Sequence, residues 1–346
     1  MRLSVRPILF CLSLLCLPAL AAPVADLYQV REAVADQQPE TRDAAMQRAL
    51  QTLVQRLTGD AGALQSAKLE GLRQDPQQIV SRYGYEGEVL LVEFDPASTE
   101  RQLRQAGLAL WGANRPAILT WWLAESAEGS QLIGESQGAA AMLRDAAQHR
   151  GLPLRLPLAD LSEQLLATPE TLAANDPQAL REASERYAAD ALLAVQASES
   201  GDAWQATWRL WLGDEREQGK AEAADPAALA DAVLLAVSQR LAPRFLVQPG
   251  ASESLTLVIE GADLSRFAAL ERLLEPFAAR LQAIDGQRLT YQVNASPEQL
   301  RAQLALGQLQ EVAEPQGGAA PLDSAGVGTE AAPQVLPRRN QLRFRW

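Results

Sequence analysis

Both cysteines of the chain, Cys11 and Cys16, lie inside a short apolar leader, so whatever folds after residue 21 holds together without a thiol or a disulfide. The leader has the three parts of an export signal. Met1 to Pro7 carries Arg2 and Arg6 and no acid, Ile8 to Leu20 is apolar, and Ala19-Leu20-Ala21 offers small residues at the cleavage positions. The apolar run falls short of the roughly 20 residues that a bilayer span needs. Cleavage is expected after Ala21, with delivery to the periplasm. Leu15 before Cys16 does not fit lipoprotein processing. An exported chain without disulfides depends on burial alone, and its length suits two or three domains.

The formal charge is −12, and losing Arg2 and Arg6 with the leader makes it more negative. A field of that sign repels phosphates, which excludes nucleic acid as a partner. No transmembrane span is expected after residue 22. One histidine and no remaining cysteine leave no ligand set for zinc, copper, haem or an iron–sulfur cluster. The two lysines, Lys68 and Lys220, follow no glycine-rich phosphate loop. No metal and no cofactor are expected.

Hydropathy patterning divides the chain into three layered units of α/β and α+β character. In residues 22–114, Leu27 to Val30 and Val89 to Phe94 read as strands. Thr41 offers a cap for a helix whose Met46, Ala49, Leu50, Leu53, Val54 and Leu57 recur at helical spacing until Gly59. A short helix covers Ser98 to Ala106, and Asn114-Arg115-Pro116 marks a boundary. In residues 115–250, strands are expected over Ala117 to Ala124, Asp190 to Ala197 and Ala203 to Leu212. Helices are expected over Ala139 to Arg150, Pro177 to Ala188 and Pro226 to Leu241. Residues 251–346 follow a β-α-β-β-α order, one strand short of a ferredoxin-like split βαβ. The missing strand is Leu309 to Ala313 or the terminal Leu342 to Trp346. Between them, residues 314–337 lack the apolar content to fold by themselves.

Several short motifs stand in a telling order: Arg56-Leu57-Thr58-Gly59, Phe94-Asp95, Gly107-Leu108 with Leu110-Trp111-Gly112, and Arg115-Pro116. Arg150-Gly151-Leu152-Pro153-Leu154, Asp160-Leu161, Arg186-Tyr187-Ala188-Ala189-Asp190, Trp204 with Trp208, and Leu342-Arg343-Phe344-Arg345-Trp346 follow. In these the chain resembles the DUF2066 family, exported proteins of Gram-negative bacteria. The resemblance covers nearly all of the chain after the leader and implies no activity, ligand or catalytic residue. The middle unit also resembles the N-terminal domain of the Tol-system periplasmic protein, and the first is faintly similar to flagellar T-ring proteins.

Gly134-Glu135-Ser136-Gln137-Gly138 matches the nucleophile elbow of α/β-hydrolases in form. Its only histidine, His149, stands 13 residues on at the far end of the next helix. At ~1.5 Å per residue that is roughly 20 Å from Ser136, far beyond hydrogen-bond contact. A turn with a helix cap is the better reading, and His149 is expected to meet the negative end of its helix dipole. Asp214-Glu215 with Glu217 reads as a solvated turn. No catalytic residue is assigned.

The aromatic residues remain. Trp121 and Trp122 point to opposite strand faces, so Trp122 or Trp211 lines a groove or partner surface unless helices cover both faces of the sheet. Leu342, Phe344 and Trp346 alternate with arginines. That pattern suits a closing edge strand, or a peptide that joins a partner's sheet or touches anionic lipid. Trp122, Trp211, Phe344 and Trp346 are therefore the candidate partner or ligand surface. The expected function is a non-enzymatic scaffold or adaptor that binds another envelope protein. The alternatives are a cell-wall or glycan hydrolase with paired carboxylates and a small-molecule binding module on the tryptophan-rich sheet.

Overall fold

The computed structural model of the chain describes residues 26–126, 129–247, 253–277, 279–312 and 341–346. The leader and the 314–337 insertion lie outside them. Within the described residues the chain is mixed α/β, with three sheets and ten helices.

The first sheet has the order β1-β3-β2 and is antiparallel, with β1 at Gln29–Ala33, β2 at Val80–Glu86 and β3 at Val89–Phe94. Helix α1 (Pro39–Thr58) lies on one face, because its apolar residues recur at three and four and meet Leu90, Val92 and Phe94 of β3. The helix begins at Pro39 rather than after a Thr41 cap, since proline at the first helical position has its φ preset and needs no N–H partner. It ends at Gly59, whose φ of 68° suits glycine. A Cβ there would stand 2.1 Å from Cβ of Ala242, so the residue also lets α1 close against the middle of the protein. Short turns and α2 (Glu70–Gln74) lead into β2. Helix α3 (Pro96–Gln105) starts where the Asp95 side chain accepts from the Ser98 amide.

The second sheet runs β5-β4-β7-β8-β9, with β6 paired to β4. Its members are β4 (Ile118–Ser126), β5 (Gly129–Ile133), β6 (Leu154–Arg155), β7 (Ala191–Ser200), β8 (Ala203–Leu212) and β9 (Glu215–Ala223). Helices cover both faces. On one side lie α4 (Ala140–Arg150) and α8 (Pro226–Phe245), against Trp122, Val195 and Trp208. On the other lie α5 (Leu161–Leu166), α6 (Pro169–Ala173) and α7 (Gln178–Ser184), against Trp121 and Trp211. The acidic run at Glu215 opens β9 rather than forming a turn, and Glu215 and Glu217 pair with Arg244.

The third sheet has the order β11-β12-β10-β14-β13, with β10 at Glu253–Glu260, β11 at Arg280–Asp285, β12 at Arg288–Ala295, β13 at Gln310–Glu311 and β14 at Gln341–Arg345. Helices α9 (Leu264–Leu274) and α10 (Pro297–Leu306) pack on one face. The expected closing edge strand is corrected here. Strand β14 runs parallel to β10 inside the sheet, and the two-residue β13 forms the edge. A single apolar core runs from the α4/α8 face of the second sheet through to Tyr291 and Phe344 of the third.

Candidate functional site

The C-terminal ends of α1 and α4 converge, and each leaves carbonyls without helical partners. Two buried arginines fill the gap. Arg115, fully buried, donates from Nη1 to Gly151 O (3.0 Å), from Nη2 to Arg56 O (2.7 Å) and Trp111 O (3.1 Å), and from Nε to Gly112 O (3.1 Å). Arg56 donates to the carbonyls of His149 (2.8 Å), Leu27 (3.0 Å) and Gln29 (2.7 Å). Neither guanidinium has a carboxylate in hydrogen-bond contact among the described residues. Three of the seven carbonyls belong to the two helix ends, whose negative dipoles favour a cation, and Glu32 adds an opposite charge near Arg56. Burial, with repulsion from Arg56, pulls the pKa of Arg115 down to about 9; burial, with repulsion from Arg150, pulls that of Arg56 to about 10. Both stay charged at neutral pH.

Residues 110–115 form a hub around this pair. Trp111 is sandwiched between Arg115, 4.1 Å above its ring, and Phe245 of α8, stacked at 5.6 Å. Leu110 bridges to Val247, and Asn114 Nδ2 donates to Arg272 O of α9 at 2.6 Å. Arg56, Gly59, Trp111, Arg115, Arg150 and Gly151, which stand far apart in sequence within the resembling motifs, thus meet at one joint between all three sheets.

A second layer of the joint holds the histidine. His149 Nδ1 lies 2.7 Å from Asp231 Oδ1, and Nε2 lies 3.3 Å from Thr52 Oγ1 and 3.7 Å from Glu32 Oε1. Arg150 grips both oxygens of Asp231 and reaches Gln55 Oε1 at 3.2 Å. In outline Thr52, His149 and Asp231 form a hydroxyl–imidazole–carboxylate series. Its protons run the wrong way for a nucleophile. Thr52 donates to Glu32 Oε1 at 3.1 Å, so the oxygen it turns to Nε2 is an acceptor and the ring donates at both nitrogens. Burial lowers the pKa of His149, but the carboxylates of Asp231 and Glu32 more than offset this and leave it above the ordinary 6.5. The Thr52 proton is already given to Glu32 and is not offered to the ring. His149 clamps β1 and α1 to α4 and α8.

The linkage follows. A base whose pKa is raised by folding contributes stability that is complete below its unfolded value and lost as pH climbs through the folded one. His149→Gln is expected to cost about 1–3 kcal/mol near pH 6, a typical loss for hydrogen bonds to a charged group. The gap between variant and parent should narrow above neutrality, as urea titrations at stepped pH would show.

The aromatic candidates occupy other places. Trp122 is 1% exposed beneath α4 and α8, and Phe344 is 2% exposed under the helices of the third sheet, so neither offers a surface. That corrects the expectation, because helices cover both faces of the second sheet and β14 is interior. Trp211 is buried but borders a cleft of about 250 Å³ with Arg181, Ser184 and Asp190. Trp346 is half-buried, donating to Gly307 O at 2.9 Å beneath Arg266. Ser136 is exposed in a turn, and Gly134 packs against Leu158 O and Ala159. Asp160 and Glu163, joined in a capping box, are both held by Arg186. His149 lies in the last turn of α4, its ring bonds Asp231 and Thr52 rather than a helix carbonyl, and its own carbonyl is taken by Arg56. Glu32, Thr52 and Asp231 carried no local signal, since no spacing in the sequence pairs them with His149.

A profile for a domain of unknown function, DUF8605, matches residues 21–112. A search of curated proteins finds no match. Among solved structures, the chain is similar to the LpoB C-terminal domain from Salmonella enterica at 14% identity, covering 32% of this chain and 83% of that one with a TM-score of 0.21. It is similar to lipoprotein GNA1162 from Neisseria meningitidis at 16% identity, covering 35% and 89% with a TM-score of 0.20. A third likeness is to a competence-damaged protein (CinA) superfamily protein from Enterobacter cloacae at 16% identity, covering 36% and 79%, TM-score 0.20. Likenesses of this size fix neither fold nor function. The first sheet and its helices therefore carry a match to a domain of unknown function, and the joint lies at its far end.

Proposed function

We propose that the protein is a non-catalytic scaffold or adaptor of the periplasm, exported by the leader of residues 1–21 and bound to another envelope protein. The DUF2066 resemblance and the division into units at 22–114, 115–250 and 251–346, with a Tol-like middle and a ferredoxin-like end, belong to this reading. One observation carries it. The side chains that chemistry would recruit, Arg56, Arg115, His149, Arg150 and Asp231, are spent on carbonyls and carboxylates that join the sheets. A second supports it: Leu158, Leu161 and Leu165 are 59%, 73% and 72% exposed around α5. Leu161 and Leu165 are four apart on one short helix and share a face, and clustered exposed leucines mark contact surfaces.

A photo-activated cross-linking residue at Leu161, in the full chain expressed in its own host, tests this. The expected result is a discrete adduct to one envelope protein that is missing when the probe sits at exposed Arg101 on α3. No adduct above the Arg101 background would overturn the adaptor reading.

A further inference from the structure

The third sheet ends on β11, and all six residues of that strand are exposed. It pairs with β12 on one side only, so its outer edge offers N–H and C=O groups to another strand. The register with β12 slips by one residue between Leu281 and Ala283. This bulge decides which way the side chains face. Leu281 and Ile284 stand opposite Tyr291 and Leu289, which are buried under the helices; Arg280 and Asp285 stand opposite Gln292 and Arg288 on the other face. In a regular strand, residues three apart face opposite ways. Here two apolar side chains share the core-facing side, yet at the edge of the sheet they are 38% and 64% exposed.

The strand complements itself. When two copies of Arg280-Leu281-Gln282-Ala283-Ile284-Asp285 run antiparallel about a two-fold axis, Arg280 meets Asp285 of the second copy and Leu281 meets its Ile284. Opposed residues in an antiparallel pair share a face. Both charged pairs therefore fall on one side and both apolar pairs on the other. Neither Arg280 nor Asp285 has an ion-pair partner among the described residues. We propose that the chain forms a two-fold dimer by antiparallel pairing of β11 with β11, joining two five-stranded sheets into one. The occupant is a second copy because the sequence of the edge answers itself in charge and in shape. This inference is independent of the adaptor reading.

A contact of six residues per copy is at the small end of interface sizes, so a dissociation constant of about 1–100 μM is expected. Sedimentation equilibrium of the full chain without its leader, across that range, reads it. Arg280→Asp sets acid against acid across the axis and is expected to weaken the dimer by about tenfold or more. Asp285→Arg should do the same, and the double reversal should recover affinity, since each pair is remade with its signs exchanged. Ile284→Lys should weaken it through the other face. All three positions are exposed, and unchanged melting curves would show that folding is intact. Sedimentation as a monomer throughout would overturn the proposal; the edge would then be one that its bulge and charges keep unpaired. A dimer that ignores Arg280→Asp, or is not restored by the double reversal, would overturn it equally.

Discussion

Arg115→Lys is expected to destabilise the protein by about 3–5 kcal/mol, nearly as much as Arg115→Met, because no ammonium reproduces a planar fork. Arg115 feeds four main-chain carbonyls from three nitrogens while its flat face rests on Trp111. A lysine keeps the charge, but one compact centre cannot reach Gly151 and Arg56 together and leaves buried acceptors without donors. A reading of Arg115 as a mere positive charge predicts rescue by lysine. Urea unfolding of the two variants separates the views, with the midpoint expected to fall similarly in both.

Trp122→Ala is expected to cost about 3–5 kcal/mol, the range for removing a buried aromatic ring, and Trp122→Phe clearly less. The indole is 1% exposed among α4, α8 and the strands of the second sheet. The comparison with Leu161→Ala is informative. Leu161 is 73% exposed, so its loss should change stability by less than about 0.5 kcal/mol. A surface anchor at Trp122 would show the reverse pattern, with little change in folding and a loss of partner contact. Thermal melts of the two variants side by side give the answer.

The parts of the fold that could be read from the sequence are those whose burial is strongly one-sided or complete. Helices α1 and α4 show clear helical spacing with glycine stops at Gly59 and Gly151, and β3, β4, β7 and β8 are apolar because helices cover them. Strands β2, β5 and β9 leave no such pattern in the sequence. Each is an edge strand with exposed residues on one or both faces, so Val80–Glu86 and Glu215–Ala223 look like polar loops. The terminal strand was recognisable by its alternation, but its interior place depends on a parallel partner, β10, that no local pattern reveals. The joint shows the same division. Arg56 and Arg115 stand within short motifs, yet their ligands are main-chain carbonyls, and every residue has one. Only the meeting of two helix ends selects which carbonyls they serve. Asp231 lies 82 positions from His149 and could be matched to it only in three dimensions.

The role of the joint also explains why an acidic chain keeps Arg56 and Arg115 inside. Without disulfides, fixing three sheets against one another falls to apolar burial and to a few strong hydrogen bonds. Guanidinium groups at converging helix ends supply those bonds in several directions at once. Burying a charge is costly, and the cost is offset by four hydrogen bonds from Arg115 and three from Arg56.

Amide hydrogen exchange of the parent and Arg115→Lys, followed by mass spectrometry, tests the central claim most directly. If the two arginines hold the helix ends together, protection around residues 55–59 of α1 and 148–152 of α4 falls together in the variant. The strands at the centre of the second sheet keep theirs. Unchanged protection at both ends, or loss at only one, would show that the joint does not depend on Arg115 and would contradict the account.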